Sequence, residues 1–116
     1  MNSVLNFKNG KFKIMQIADI QENAVVNPDT IKLITLALDK EKPDLVVLTG
    51  DQIQGYSACY LKNARAKVEK VIADFLAPIT ERNIPFCFTY GNHDDDCRVD
   101  KKIQTEFYKS HKGCVY

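Results

Sequence analysis

"IPFCFTYGNHDD", residues 84–95, decides how the rest of this chain is read. An apolar and aromatic run, Ile84 to Tyr90, breaks abruptly into Gly91-Asn92-His93-Asp94. The run does not alternate, which is the pattern of a strand buried on both faces. The break places a glycine, a carboxamide, an imidazole and a carboxylate consecutively where that strand ends. Glycine permits a sharp turn directly after the strand, so the following side chains point into the cleft. An acid after a strand is common in ordinary turns. Four constrained residue types in a row are a stronger signal.

Two earlier stretches end the same way. "DLVVLTGD", residues 44–51, is apolar through Leu48 and then gives Gly50-Asp51. Phe12 to Ala18 is nearly all apolar, is expected to be a buried strand, and ends in Asp19. Asn9-Gly10 lies between two strand-like runs and predicts an N-terminal hairpin. "NPDT" at 27–30 opens a helix: Asn27 caps, Pro28 suits the first position, and Asp29 complements the positive end. Ile31, Ile34 and Leu38 follow on one face, and Pro43 closes the element. A long helical region spans Ser57 to Arg82, with Leu61, Ala64, Val68, Val71, Ile72, Phe75 and Ile79 on its apolar face and Pro78 kinking or ending it. Asp100 to Lys109 reads as a last helix, with Ile103 and Phe107 turned inward. The fold class is therefore α/β: an N-terminal hairpin followed by βαβαβα, with a parallel sheet and right-handed crossovers. Such sheets bind ligands at the carboxyl ends of their strands. Asp19, Gly50-Asp51 and Gly91-Asn92-His93-Asp94 then share one edge.

Composition agrees with a single domain over residues 1–116. Apolar residues make up 45% of the chain, enough for a core. The net charge is +1 with acids and bases interleaved, which gives no electrostatic case for nucleic acid or an anionic membrane. No apolar run approaches the roughly 20 residues that span a bilayer. No signal-peptide h-region is seen at the start, and Cys59, Cys87, Cys97 and Cys114 form no zinc pattern. Reduced thiols and a cytoplasmic location are the expectation.

Carboxylates, a carboxamide and an imidazole at one edge suit a metal of the Mn, Fe or Zn kind better than a thiolate-loving one. Other features have plainer readings. The run Asp94-Asp95-Asp96 is a solvated turn of which only Asp94 matters. His111 is a surface histidine at a helix end, and Lys40 and Lys42 belong to a solvated helix end. Tyr56 and Tyr60 are packing residues. Cys87 is a core thiol, and Cys97 lies among acids that disfavour a reactive thiolate.

Together "FKIMQIAD", "PDLVVLTGDQI" and "IPFCFTYGNHDD" resemble the first half of a calcineurin-like metallophosphoesterase, closest to the purple-acid-phosphatase-like and bacterial phosphohydrolase subgroup. That family's pattern is Asp-x-His, Gly-Asp, Gly-Asn-His-Asp/Glu, then a later His and Gly-His-x-His. The resemblance covers about Phe7 to Asp96. It implies half of a four-layer α/β/β/α fold and hydrolysis of phosphate mono- or diesters by two divalent metals with a bridging hydroxide. By resemblance Asp19 ligates the first metal, Asp51 bridges both, and Asn92 ligates the second. His93 protonates the leaving oxygen or stabilises the transition state, and Asp94 orients it.

Two departures shape the expectation. Gln21 stands where the pattern has His, so its carbonyl oxygen is the candidate ligand, with Glu22 as a substitute. The later His and Gly-His-x-His blocks are not seen, so the site within these residues is expected to be incomplete. An uncovered apolar sheet face is expected too, and with it a homo-oligomer, most simply a dimer. The substrate class is a phosphorylated small molecule or other phosphoester. A receiver-type signalling domain is the wrong match, because its third strand does not end in Gly-Asn-His-Asp. The alternative that stays open is a truncated non-catalytic remnant or binding module with the same fold.

Overall fold

A computed structural model describes residues 5, 10–21, 26–55, 57–92, 94, 96–97 and 99–115. Strands β1 (Ile14–Ile17), β2 (Leu45–Leu48) and β3 (Phe86–Phe88) pair in parallel in the order β1-β2-β3. Helix α1 (Pro28–Glu41) joins β1 to β2, α2 (Ala64–Glu81) joins β2 to β3, and α3 (Lys101–Lys109) follows β3. Neighbouring strands in sequence are neighbours in the sheet, so right-handed crossovers put the helices on one face. α2 accordingly packs against both α1 and α3.

The register shows which residues that face buries. Met15, Val46 and Phe86 form one row, and Ile17, Leu48 and Phe88 form the next. Val46, Leu48 and Phe86 are fully buried beneath Val68, Val71, Ile72, Phe75, Leu76 and Ile79 of α2. Ile34 and Leu38 of α1, and Phe107 and Tyr108 of α3, complete the core. The intervening rows, Ile14–Leu45 and Gln16–Val47–Cys87, point to the opposite face, where Leu45, Val47 and Cys87 are half-buried and Ile14 is 58% exposed. The expectation of a buried strand over Phe12–Ala18 and of a core thiol at Cys87 is corrected here. Helices cover one face only, and β1 is also a sheet edge, so alternate residues stay open.

Helix ends follow their chemistry. Asn27 Oδ1 accepts from Asp29 N at 2.8 Å, with Pro28 opening the helix. Asn27→Ala is expected to cost about 1 kcal/mol, seen as a fall of about 4 °C or more in thermal midpoint. Asp100 caps α3 through Ile103 N at 2.9 Å. The Ser57–Arg82 region is broken in two: a short 3-10 turn at Ala58–Leu61 capped by Ser57 precedes α2. That break takes Leu61 out of phase, and it is 62% exposed rather than part of the apolar face. Pro78 lies inside α2, near its end, where it removes one bond and the helix stops at Glu81. Arg82 stabilises that end, donating from Nη1 to Pro78 O at 2.9 Å and from Nε to Asp39 Oδ1 of α1 at 2.7 Å.

Gly10 has φ +73° in a turn, as a tight hairpin requires, while Asn9 and most of the preceding arm lie outside the described residues. At the other edge, Phe86 N donates to Gly113 O at 3.0 Å and Val115 N to Phe86 O at 2.7 Å. Residues 113–115 thus run parallel beside β3. All four cysteines are free thiols. Among the described residues no helix is long and apolar enough to cross a membrane.

Candidate metal centre

Backbone pairing between β1 and β2 continues past the regular ladder. Thr49 N donates to Ile17 O at 3.1 Å, Asp19 N to Gly50 O at 3.1 Å, and Gln21 N to Asp51 O at 2.9 Å. These bonds set Asp19 and Gln21 beside Gly50 and Asp51. The path is strained: Asp19, Gln21 and Asp51 all have left-handed backbones, with φ of 54°, 48° and 53°. Each such residue costs about 1–2 kcal/mol for an L-amino acid. Aspartate tolerates the region better than glutamine does, so Gln21 is the more constrained. Strain of this kind persists where surrounding bonds over-determine it, and it clusters at functional sites.

The second and third strand ends meet backbone to backbone. Gly50 has φ +119°, and a Cβ there would lie 2.7 Å from Gly91 N. A Cβ on Gly91 would overlap the Asp51 carboxylate and lie 2.6 Å from Asp51 N. The two glycines therefore permit close approach of the turns in addition to the sharp exits that the sequence implied.

Asp94 holds the approach together. Its carboxylate is fully buried. Oδ2 accepts from Asp51 N and Gly91 N, both at 2.8 Å, and Oδ1 accepts from Ile53 N at 3.0 Å. Backbone donors from both turns thus converge on one side chain. His93 and Glu22 lie outside the described residues, as does Tyr56. Tyr60 is buried, as a packing residue should be.

The donor set fits a hard divalent cation. One polar atom of the Asn92 carboxamide lies 2.9 Å from Asp51 Oδ2 and 3.2 Å from Asp51 Oδ1. With nitrogen in that position, Asn92 donates two hydrogen bonds to Asp51. With oxygen there, oxygens from two residues stand about 3.0 Å apart, the edge of an octahedron whose vertices lie about 2.1 Å from a central ion. Rotation of one amide interconverts the two. The Asp19 carboxylate is exposed and makes no hydrogen bond among the described residues, and Gln21 is half-buried beside it. Among the described residues no three His, Cys, Asp or Glu side chains form a metal-holding group. Among the described residues, the carboxylates of Asp19 and Asp51 and the carboxamides of Gln21 and Asn92 are the candidate donors at these strand ends. His111 is elsewhere: it precedes the segment beside the start of β3, on the opposite sheet edge, and burial lowers its pKa.

Sequence reasoning missed the buried polar residues behind the centre. Gln52, Gln104 and Tyr108 are fully buried. Gln104 Nε2 donates to Asp94 O and Val99 O, each at 2.7 Å, which ties down the loop after Asn92. The signal was present: Gln104 falls on the inward stripe of α3 with Ile103 and Phe107, and a polar residue on such a stripe needs a partner.

Residues 12–115 match the family model described as calcineurin-like phosphoesterase. Phosphatase DCR2 of Saccharomyces cerevisiae is 36% identical over 102 residues, covering 75% of this chain and 17% of that protein. An uncharacterized protein of Schizosaccharomyces pombe is 34% identical over 74 residues, covering 64% of this chain and 13% of its own length. "Probable inactive purple acid phosphatase 29" of Arabidopsis thaliana is 30% identical over 104 residues, covering 76% of this chain and 25% of its own. The chain thus spans about a quarter or less of these relatives. No solved structure matches it significantly.

Proposed function

The chain belongs to the calcineurin-like phosphoesterase family, and from that premise we propose that its three strand ends bind divalent metal for hydrolysis of phosphate mono- or diesters. The observation that carries this reading is the Asn92 carboxamide within 2.9 Å of the Asp51 carboxylate, at an edge that also holds the exposed Asp19 carboxylate. Asp19, Asp51 and Asn92 would hold a pair of Mn, Fe or Zn ions, with Gln21 offering a neutral oxygen where the family pattern has histidine. Bound ions of this kind supply Lewis acidity toward phosphoryl oxygen and an activated water. The chain's own residues do the rest. Asp94 fixes the backbone of both ligand turns. His93 follows Asn92 directly and is the candidate to hold a proton for the leaving oxygen. A phosphorylated small molecule or other phosphoester is the substrate class, residues 1–116 act as one domain, and the open sheet face is the candidate surface for a homodimer, which sedimentation at rising concentration checks.

Calorimetric titration with Mn²⁺ tests the reading: binding that EDTA reverses is expected, and no binding by a folded chain would overturn it. Gly91→Ala should weaken that binding about tenfold, in the range seen when groups that orient ligands are disturbed, because the added methyl displaces Asp51. A second reading, a non-catalytic relative with the same fold, is favoured by Gln21 and by relatives whose printed names include "inactive". Metal-free protein with an intact fold would decide for it.

A further inference from the structure

We infer that Gln52 is a positioning residue for this centre, acting through Gly50 and Thr89 on the two turns that carry Asp51 and Asn92. The inference rests on the metal-binding reading above. Gln52 is fully buried directly after a candidate ligand, and a buried carboxamide is costly unless each polar atom is matched. Its matches span both strand exits. Oε1 accepts from Gly50 N at 2.6 Å at the end of β2. Nε2 donates to Thr89 O at 3.1 Å at the end of β3, and to Tyr108 Oη at 3.3 Å. The Tyr108 ring stacks on Phe88, with centroids 4.3 Å apart and planes 17° from parallel, so the hydroxyl is held in place.

The side chain therefore presents an acceptor to one turn and a donor to the other, which among these shapes only a carboxamide does. Its action on Asp51 is direct in sequence. Gly50 N is fixed by Gln52 and Asp51 N by Asp94, so successive amides of the turn are bound from two sides. Asp51 is held at φ 53° between them. Releasing the first bond frees Asp51 to relax toward an ordinary backbone and lets the β3 exit move away from the β2 exit. Asp51 and Asn92 would then lose the spacing at which both reach one ion. This is support behind the ligands, of the type that tunes metal affinity without touching metal.

The test uses Gln52→Leu, Gln52→Glu and, as control, Ile79→Ala. Ile79 lies at the far end of α2, where Ile84 N bonds its carbonyl on the opposite sheet edge. Two readouts are taken on folded protein well below the thermal midpoint: Mn²⁺ affinity by calorimetry, and the φ-dependent HN–Hα coupling of Asp51 in metal-free protein. Gln52→Leu should weaken Mn²⁺ binding about tenfold and change the Asp51 coupling. Gln52→Glu keeps the acceptor for Gly50 N but loses the donor to Thr89 O, so its affinity should fall between those of Gln52→Leu and wild type. Should Gln52→Leu fail to fold, Gln52→Glu carries the comparison alone. Ile79→Ala should lower the thermal midpoint and leave both readouts at wild-type values. Wild-type affinity and coupling in the Gln52 variants would overturn the inference, as would an equal loss of affinity in Ile79→Ala. If wild type itself binds no Mn²⁺, the metal reading fails, and the Asp51 coupling alone decides whether Gln52 positions the turn.

Discussion

Asp51→Asn is expected to weaken Mn²⁺ binding by more than about 100-fold, beyond the 10- to 100-fold typical of groups that only support a ligand, while leaving the fold in place. The side chain loses its charge and one oxygen, and the amide that replaces that oxygen points a donor at Asn92 or at the cation. What holds residue 51 in place is backbone. Its N–H donates to Asp94 Oδ2 at 2.8 Å and its carbonyl accepts from Gln21 N at 2.9 Å. Asparagine also tolerates the left-handed conformation that this position requires. The thermal midpoint should therefore stay within a few degrees of wild type, because these backbone bonds are unchanged by the substitution. Calorimetry and a thermal melt on the same sample check both halves. Undiminished Mn²⁺ affinity would remove Asp51 from the ligand set.

Asp94→Ala should act in the opposite manner, destabilising the protein by about 3–5 kcal/mol, since each buried donor left unpaired costs about 1–3 kcal/mol. Three backbone N–H groups, of Asp51, Ile53 and Gly91, lose their acceptor at once. Losses of this size in a point variant come from a few mechanisms, of which breaking a buried network is one. The thermal midpoint should fall by about 10 °C or more on the scale usual for a domain of this length. A residue whose task was only to orient His93 would show nothing comparable. Urea denaturation yielding a loss below about 1 kcal/mol would contradict the role of Asp94 as the clamp between the turns.

The architecture could be read from the chain because its signals were local. The cap at Asn27-Pro28-Asp29, the strand positions ahead of Gly50 and Gly91, and the helix opening at Asp100 each act within a few residues and lie where expected, although those strands are covered on one face and not on both. The parallel order followed from alternation of strands and helices. Exposure was less legible. Whether Phe12–Ala18 is covered on both faces depends on which face the helices occupy, and this is a property of the strand order. Leu61 was misplaced because periodicity does not reveal the break at Lys62-Asn63. At the centre, the meeting of Asp19, Asp51 and Asn92 at one edge was legible as soon as three strands ended alike. The left-handed turns at Gln21 and Asp51, the three-way grip of Asp94 and the bridging role of Gln52 were not, since each depends on turns far apart in sequence coming together.

The central claim is that these strand ends form a metal centre. The most direct measurement is an anomalous difference map from crystals of this chain soaked in Mn²⁺. The account predicts a peak between the Asp51 carboxylate and the Asn92 carboxamide, with the Asn92 oxygen turned toward it. Crystals whose map shows no peak there, with Asn92 still donating its amide hydrogens to Asp51, would contradict the account.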